Sequence, residues 1–326
     1  MSQFVPLKVK SITPQTDQAI CIAFDVVPEQ QEQFHFQPGQ HLTIRHLTEA
    51  GEIRRCYSIC SYAGKEDISI AVKKIDQGQF SNWANDHLKV GDVLEVMPPQ
   101  GVFFQKAAKM GGQNYLGVAA GSGITPMLSM LEALKDKAEL VAPVTLWYWV
   151  KKNQDAAFIA RFEELAQKFS NFSYQVFATQ EQPAAPRLDE SYLDQLQALE
   201  QSTVYACGPS GFVATAERLF ASAKLFKSEA FSMSLNDEAD TGFVNVTLTQ
   251  SKKIVTIPKG QSILVSLEQQ NIRPTHGCRM GICNKCACNK AEGSTKNLVN
   301  GAQNTEPGNL LKICVNSAQT DLVIDL

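Results

Sequence analysis

A chain of 326 residues is long enough for two or three domains, each burying its own core. Its 30 Lys and Arg against 33 Asp and Glu leave a net charge of −3, so no basic field marks a nucleic-acid binder. The longest mainly apolar run, Val141 to Val150, contains Pro143 and is about half of what a membrane helix needs, so the expectation is a soluble protein with no membrane span.

The first hundred residues hold short β-rich runs, His41 to Arg45, Ile68 to Val72 and Val93 to Val96. Turn residues punctuate them at Pro38-Gly39, Gly64, Gly78, Gly91-Asp92 and Pro98-Pro99, a spacing that predicts an antiparallel barrel or sandwich. From about Gln113 the texture changes. Tyr115 to Ala120 reads as a buried strand, Gly121-Ser122-Gly123 as a turn and Pro126 to Lys137 as a helix. Strands at Val144 to Val150, Phe172 to Ala178 and Val204 to Ala206 then alternate with helices at Ala156 to Phe169 and Phe212 to Ala223, as in a parallel α/β sheet. The polar stretch Ser234 to Thr241 is expected to be a linker. Beyond it, Phe243 to Thr249 and Lys253 to Ile257 read as a hairpin, and Ser262 as the cap of a short helix carrying Ile263, Leu264 and Leu267. The domains expected are 1–108, 109–233 and, after the linker 234–241, 242–326.

The N-terminus MSQFVPLKVK lacks an apolar stretch ahead of a small-residue cleavage site, so the expected address is cytoplasmic. Nine cysteines in a reducing compartment point to thiolate chemistry or buried apolar thiols rather than disulfides. Cys278, Cys283 and Cys286 are spaced C-x4-C-x2-C, and Cys314 follows after 27 intervening residues, the plant-type two-iron two-sulfur arrangement. Gly277 and Gly281 let backbone amides approach the sulfurs. The competing reading is structural zinc, whose ligands usually pair twice as C-x2-C. Cys288, two residues past Cys286, reads as a buried thiol, with a ligand swap as the alternative.

In Arg55-Cys56-Tyr57-Ser58 an Arg can pair with phosphate, a Tyr can stack on a planar ring and a Ser can hydrogen-bond it; an ordinary barrel strand would carry the same letters. Val72-Lys73 and Gly78-Gln79-Phe80-Ser81 can supply donors to a diphosphate, or form a tight turn beside solvated lysines. Gly121-Ser122-Gly123-Ile124-Thr125-Pro126 joins a strand to a helix whose free amides can receive a dinucleotide diphosphate, although the full G-x-G-x-x-G fingerprint is missing and a plain crossover turn remains open. Cys207-Gly208-Pro209 ends another strand at the carboxyl edge where ligands of open α/β sheets bind; the alternative is a buried Cys beside a turn.

Taken in order, RRCYS, GSGITP, YACGP and GCRMGICNKC resemble the ferredoxin reductase family with a plant-type ferredoxin domain at the C-terminus, over nearly the whole chain. The resemblance implies an antiparallel β-barrel FAD domain, an α/β parallel-sheet NAD(P) domain and a β-grasp 2Fe-2S domain. It implies that Arg55, Tyr57 and Ser58 bind FAD, with Ser58 near the flavin N5. Gly121, Ser122, Gly123 and Thr125 would bind the nicotinamide dinucleotide, Cys207 and Gly208 would lie by the nicotinamide, and Glu229 and Phe231 would close the flavin's other face. Ser58, Cys207 and Glu229 are the implied catalytic residues; Pro126, Pro209 and Lys151 complete the nucleotide set, and Cys278, Cys283, Cys286 and Cys314 are the metal ligands.

The activity implied is oxidation of NADPH or NADH through FAD and the 2Fe-2S cluster, with electrons delivered to an oxygenase or desaturase protein. RRCYSICS, AVKKIDQGQFS and AAGSGITPML are similar to the reductases of phenylacetyl-CoA-type oxygenases. GCRMGICNKC and the late ICVNSAQTDLVIDL look more like reductases of fatty acyl desaturases, because the phenylacetyl-type loop usually carries small residues where Arg279 and Met280 stand. A desaturase partner is therefore favoured, with transient contact with a membrane-bound acceptor. The reading from another class is a redox sensor without turnover. Lys151 and Lys152, past the strand Val144 to Val150, tilt the nucleotide choice towards NADPH through a 2′-phosphate, unless they are merely solvated.

Overall fold

The computed structural model describes residues 4–48, 51–61, 67–101, 103, 114–136, 142–196, 198–231, 240–277, 279, 281, 284–299 and 301–326. The chain divides into two compact units, Met1–Phe231 and Ser232–Leu326. The expected domains 1–108 and 109–233 thus share one unit, and of the expected linker only 240 and 241 are among the described residues.

The first part of unit one contains β1 (Val5–Thr16), β2 (Ala19–Asp25), β3 (His41–Thr48), β4 (Gly51–Ser58), β5 (Ile68–Lys73), α1 (Gln79–His87) and β6 (Val93–Gln100). Alternation along these strands sends Leu7, Val9, Ile20, Ile22, Phe24, Leu42, Ile44, Ile70, Val72 and Val96 inward. The antiparallel order β4-β3-β6-β1-β2-β5 is joined at its ends by a bridge between Ile59, just past β4, and Ile70 of β5, which makes the sheet a barrel.

The rest of the unit contains β7 (Tyr115–Ala120), α2 (Ile124–Asp136), β8 (Val144–Val150), α3 (Ile159–Lys168), β9 (Phe172–Ala178), β10 (Thr203–Gly208), α4 (Ser210–Leu219) and β11 (Leu225–Ala230). The sheet is parallel, in the order β11-β10-β7-β8-β9. Every residue of β10 is buried, as expected of a strand covered on both faces. From β7 the chain winds outward through β8 and β9, then returns to place β10 on the other side of β7. That reversal is a topological switch point.

The helices depart from expectation at their starts. α3 begins at Ile159, not Ala156, because Phe158 takes a left-handed conformation with φ 65°. α4 begins at Ser210, directly after the extended Pro209, and ends at Leu219 rather than Ala223. The strand β11 was not anticipated, since Lys227, Ser228 and Glu229 break its apolar pattern at the sheet's edge.

Unit two contains β12 (Phe243–Leu248), β13 (Lys253–Pro258), α5 (Ile263–Gln269), β14 (Ala287–Glu292), β15 (Thr295–Asn297), β16 (Gln303–Asn304), β17 (Asn309–Lys312), β18 (Asn316–Ala318) and β19 (Leu322–Ile324). Ser262 caps α5, its hydroxyl accepting from the Val265 amide at 3.3 Å. The sheet order β13-β12-β19-β14-β17, with β12 and β19 parallel and Ile263, Leu264 and Leu267 buried in its core, is a β-grasp. The completely buried Ile22 should illustrate what the barrel core contributes: Ile22→Ala is expected to cost about 2–5 kcal/mol, read from the denaturant midpoint of the whole chain.

Candidate functional site

The nucleotide side is built where backbones touch. Gly121-Ser122-Gly123 forms a 3-10 turn between β7 and α2, and a Cβ on Gly123 would come within 2.0 Å of the Cys207 carbonyl oxygen and 2.8 Å of the Gly208 amide nitrogen. Only glycine fits that approach. The Thr125 hydroxyl donates to the Ser122 carbonyl at 3.0 Å and Pro126 is buried in the first turn, so the turn and the start of α2 form one piece. Ser122 remains exposed. The amides opening α2, at the switch point of the sheet, are a cradle for a diphosphate. Lys151, exposed past the carboxyl end of β8, lies on the same edge of the sheet.

The Cys207 thiol is completely buried, and burial first, then the neighbouring Glu229, pushes its pKa well up, so it is a neutral thiol. Cys207 and Glu229 are register partners across β10 and β11, and the Phe231 amide donates to the Gly208 carbonyl at 2.9 Å. Pro209 is the extended residue ahead of α4. Burial raises the Glu229 carboxyl above its ordinary value, a shift that His41 opposes. His41, itself 3% exposed, faces Ser58 in the β3–β4 register. His41 of the barrel is thus close enough to Glu229 of the α/β sheet to act on its charge, and each has its register partner, Ser58 and Cys207, beside it. His41 was read only as part of a strand; a lone histidine carries no motif, and only strand register gives it meaning.

On the flavin side, Arg55 is exposed, with its guanidinium donating to the Arg54 carbonyl at 2.8 Å, and it lies near the Tyr57 ring on the same face of β4. Tyr57 packs 5.6 Å from Phe80, and burial raises its hydroxyl pKa. Phe80 and Val72 are core side chains, 1% and 0% exposed, so their main chain is what they can offer a cofactor. Gly78 precedes α1, which opens with Gln79, and Lys73 ends β5. The Ser81 hydroxyl in the first turn is buried with no hydrogen-bond partner among the described residues, a polar atom that an added acceptor would satisfy. The residue set fits an anionic, ring-bearing cofactor.

In unit two, Cys286 and Cys314 are 4% and 1% exposed, and the Ile313 amide donates to the Cys286 carbonyl at 3.3 Å. Cys278 and Cys283 lie outside the described residues, as does Met280. The loop between turns through left-handed backbone at Arg279, Gly281 and Asn284, and a Cβ on Gly281 would come within 2.7 Å of the Val315 side chain. Lys312 donates to the Gly281 carbonyl at 2.6 Å, holding the loop down. Two buried thiols under a tight loop with cationic support suit a polythiolate cluster. Cys288 points into the β-grasp core opposite Leu311, and burial raises its thiol to about 12. Arg279 bonds both Glu268 carboxylate oxygens, at 2.9 and 2.5 Å, and reaches His276 at 3.1 Å.

Comparison with known proteins places this geometry. The oxidoreductase FAD-binding domain model matches residues 6–104, the oxidoreductase NAD-binding domain model 118–218 and the 2Fe-2S iron-sulfur cluster binding domain model 246–315. One of the subunits of 1,2-phenylacetyl-CoA epoxidase from Escherichia coli (strain K12) is 31% identical across 100% of this chain and 98% of its own. The ferredoxin reductase component of 3-ketosteroid-9-alpha-monooxygenase from Rhodococcus rhodochrous is 29% identical across 90% and 88%. Phthalate dioxygenase reductase, described as a modular structure for electron transfer from pyridine nucleotides to [2Fe-2S], superposes with a TM-score of 0.70 at 26% identity, covering 99% of this chain and 98% of that one.

Two outcomes follow from the site's packing and charge. Gly123→Ala should destabilise the chain by about 1–3 kcal/mol and weaken nucleotide binding, read by thermal melting and nucleotide titration. A carboxyl raised by burial favours folding while protonated and opposes it as pH climbs past the ordinary value of 4.5. Glu229→Gln should therefore raise the melting temperature at neutral pH, with the gain vanishing below pH 4.5.

Proposed function

This chain belongs to the ferredoxin-reductase-type flavoproteins that join an FAD-binding, an NAD-binding and a C-terminal 2Fe-2S domain, and we propose that it is the reductase component serving an oxygen-activating partner. Its cofactors are FAD, a nicotinamide nucleotide and a 2Fe-2S cluster. When bound, these supply acceptance of an electron pair from the nicotinamide and its release as single electrons, which an iron-sulfur centre requires. The observation that carries the reading is the meeting of the Gly123 turn, the Cys207 strand end and the His41–Ser58 pair at one switch point.

The protein's own groups have separable tasks in this reading. Gly121, Ser122, Gly123, Thr125 and Pro126 receive the dinucleotide diphosphate on the amides of α2, and Cys207, Gly208 and Pro209 bound the nicotinamide end. Arg55, Tyr57 and Ser58 orient the flavin, with Lys73, Gly78, Gln79 and Ser81 by the diphosphate, Val72 and Phe80 contributing main chain, and Phe231 covering the other side. Glu229 holds a proton longer than an exposed glutamate would, beside Ser58 and His41. Cys278, Cys283, Cys286 and Cys314 hold the cluster. The domain limits 1–108, 109–233 and 242–326 remain our division.

The names of the relatives support an oxygenase, of which a phenylacetyl-CoA-type enzyme is one form, as the partner. The desaturase reading rests on Arg279, Met280 and the late ICVNSAQTDLVIDL; of these, Arg279 has a reason within its own unit, its pairing with Glu268. We keep a membrane-bound desaturase as the second acceptor to be tried. Among the described residues no helix is long and apolar enough to cross a membrane, and a cytoplasmic location is our inference.

NADPH added anaerobically should bleach the flavin colour; colourless, sulfide-free protein would overturn the reading, and flavin that neither NADPH nor NADH reduces would leave only a sensor role. Cys283→Ser should keep nucleotide-driven ferricyanide reduction and lose reduction of a protein acceptor. Lys151→Glu should shift the kcat/KM ratio towards NADH by about tenfold, the weight of one charge-assisted hydrogen bond.

A further inference from the structure

Cys21 and Cys60 stand outside the motifs used above; their sulfurs are 3.7 Å apart and neither is in a disulfide. Alternation along β2 turns Ile20 and Ile22 into the barrel core, so Cys21 and Ala23 face outward. Their register partners are small, Thr13 and Ser11 on β1, Ala71 and Ser69 on β5. Over these short side chains lies a cleft of about 320 Å³, lined by both cysteines and bounded by Glu132 of α2 and Arg161 of α3. The Ser129 hydroxyl of α2 donates to the Ser61 carbonyl at 2.9 Å, which ties the helical wall of the cleft to the barrel.

The two thiols are not equivalent. Cys21 is half-buried, whereas Cys60 is buried, and its hydrogen bond to Cys21, then loss of water, pushes the Cys60 thiol well above its ordinary range, so it keeps its proton. That S–H has two acceptors in reach, the Ser69 carbonyl at 3.5 Å and the Cys21 sulfur at 3.7 Å. A thiolate is the stronger acceptor, and the hydrogen bond lowers the pKa of Cys21 against its own partial burial. Cys60 is thereby a donor rather than a second nucleophile. The charged groups of the cleft are paired, Asp67 with Lys10 at 2.5 Å and Glu132 with Arg161 at 2.8 Å. What the lining offers a small molecule is therefore mainly the hydroxyls of Ser11, Thr13, Ser61 and Ser69.

We propose that Cys21 is a modification site, at which the cleft admits a polar low-molecular-weight disulfide and the Cys21 sulfur retains half of it as a mixed disulfide. The cleft has the volume of a small ligand pocket, and its hydroxyls suit a hydrogen-bonding, peptide-like group better than an apolar one. The Cys21 thiolate attacks one sulfur of the reagent R–S–S–R. The reagent's S–S bond breaks, a Cys21–S–S–R bond forms, and R–S⁻ leaves to take up the proton that Cys21 gave up. Cys21 is oxidised and the departing half reduced, so the disulfide itself is the oxidant. Because Cys60 stays protonated, it does not displace the bound half, and the adduct persists until an external thiol removes it. This proposal does not rest on the electron-transfer reading.

Oxidised glutathione is the probe: the holoprotein is incubated with it, free thiols are blocked, and peptides are mapped by mass. The expected result is one glutathionyl group per chain, on Cys21, removed by dithiothreitol and absent in Cys21→Ser. Cys60→Ala should keep the site but slow its modification about threefold, since the Cys21 thiolate becomes scarcer yet intrinsically more nucleophilic. Equal uptake by wild type and Cys21→Ser, or no uptake by wild type, overturns the proposal, and these two proteins decide the matter should Cys60→Ala not fold. An adduct on Cys60, or a Cys21–Cys60 disulfide, would refute the assignment of Cys60 as donor. The mass readout is independent of flavin reduction, so failure here leaves the reductase reading standing.

Discussion

The contact of Gly123 with the carbonyl of Cys207 and the amide of Gly208 is the constraint on which the first unit's site depends. A side chain at that point would push the nucleotide turn off the end of β10. The contact aims the amides of α2 at the mouth of the switch point, while register in β10 and β11 sets Glu229 beside Cys207. Glu229 in turn feels His41, which faces Ser58. Segments from four distant parts of the chain are thereby held within reach of one another by main-chain geometry, which is stiffer than any side-chain contact.

Burial then sets the protonation states. Both Cys207 and Glu229 have their charged forms disfavoured by loss of water, which keeps the Cys207 thiol neutral and raises the Glu229 carboxyl above its ordinary value. Such a pairing is unfavourable to folding at neutral pH. Strain or desolvation of this kind concentrates at functional sites because surrounding packing overrides it. Around it, each fully buried aliphatic side chain of the barrel core contributes about 1.5–3 kcal/mol, enough to tolerate a few such groups.

The second unit solves a different problem. Its loop must curl tightly, so left-handed backbone appears at Arg279, Gly281 and Asn284, although two of these are not glycine. Local ties compensate: Arg279 is clamped to Glu268 and Lys312 to the Gly281 carbonyl. Both ties act on the segment that runs into the buried Cys286. Cys288 differs from Cys286 because strand alternation and the apposed Leu311 turn it into the core.

Much of this was legible in the amino-acid order. Period-two and period-3.6 patterns identify the barrel strands β3, β5 and β6, the strands β7 to β10 and the capped α5, whereas β1 and β2 were not read from the sequence. The cysteine spacing and the G-S-G turn are likewise local, as a metal or a phosphate imposes its own geometry on neighbouring residues. Other features depend on which strand lies beside which. Sequence could not show that His41 faces Ser58, that Glu229 lies beside Cys207 on an edge strand with no apolar pattern, that Val72 and Phe80 are core, or that the Cys21 and Cys60 sulfurs come within 3.7 Å of each other. Register and sheet order are set by the summed packing of residues far apart in the chain, and no single segment carries that information.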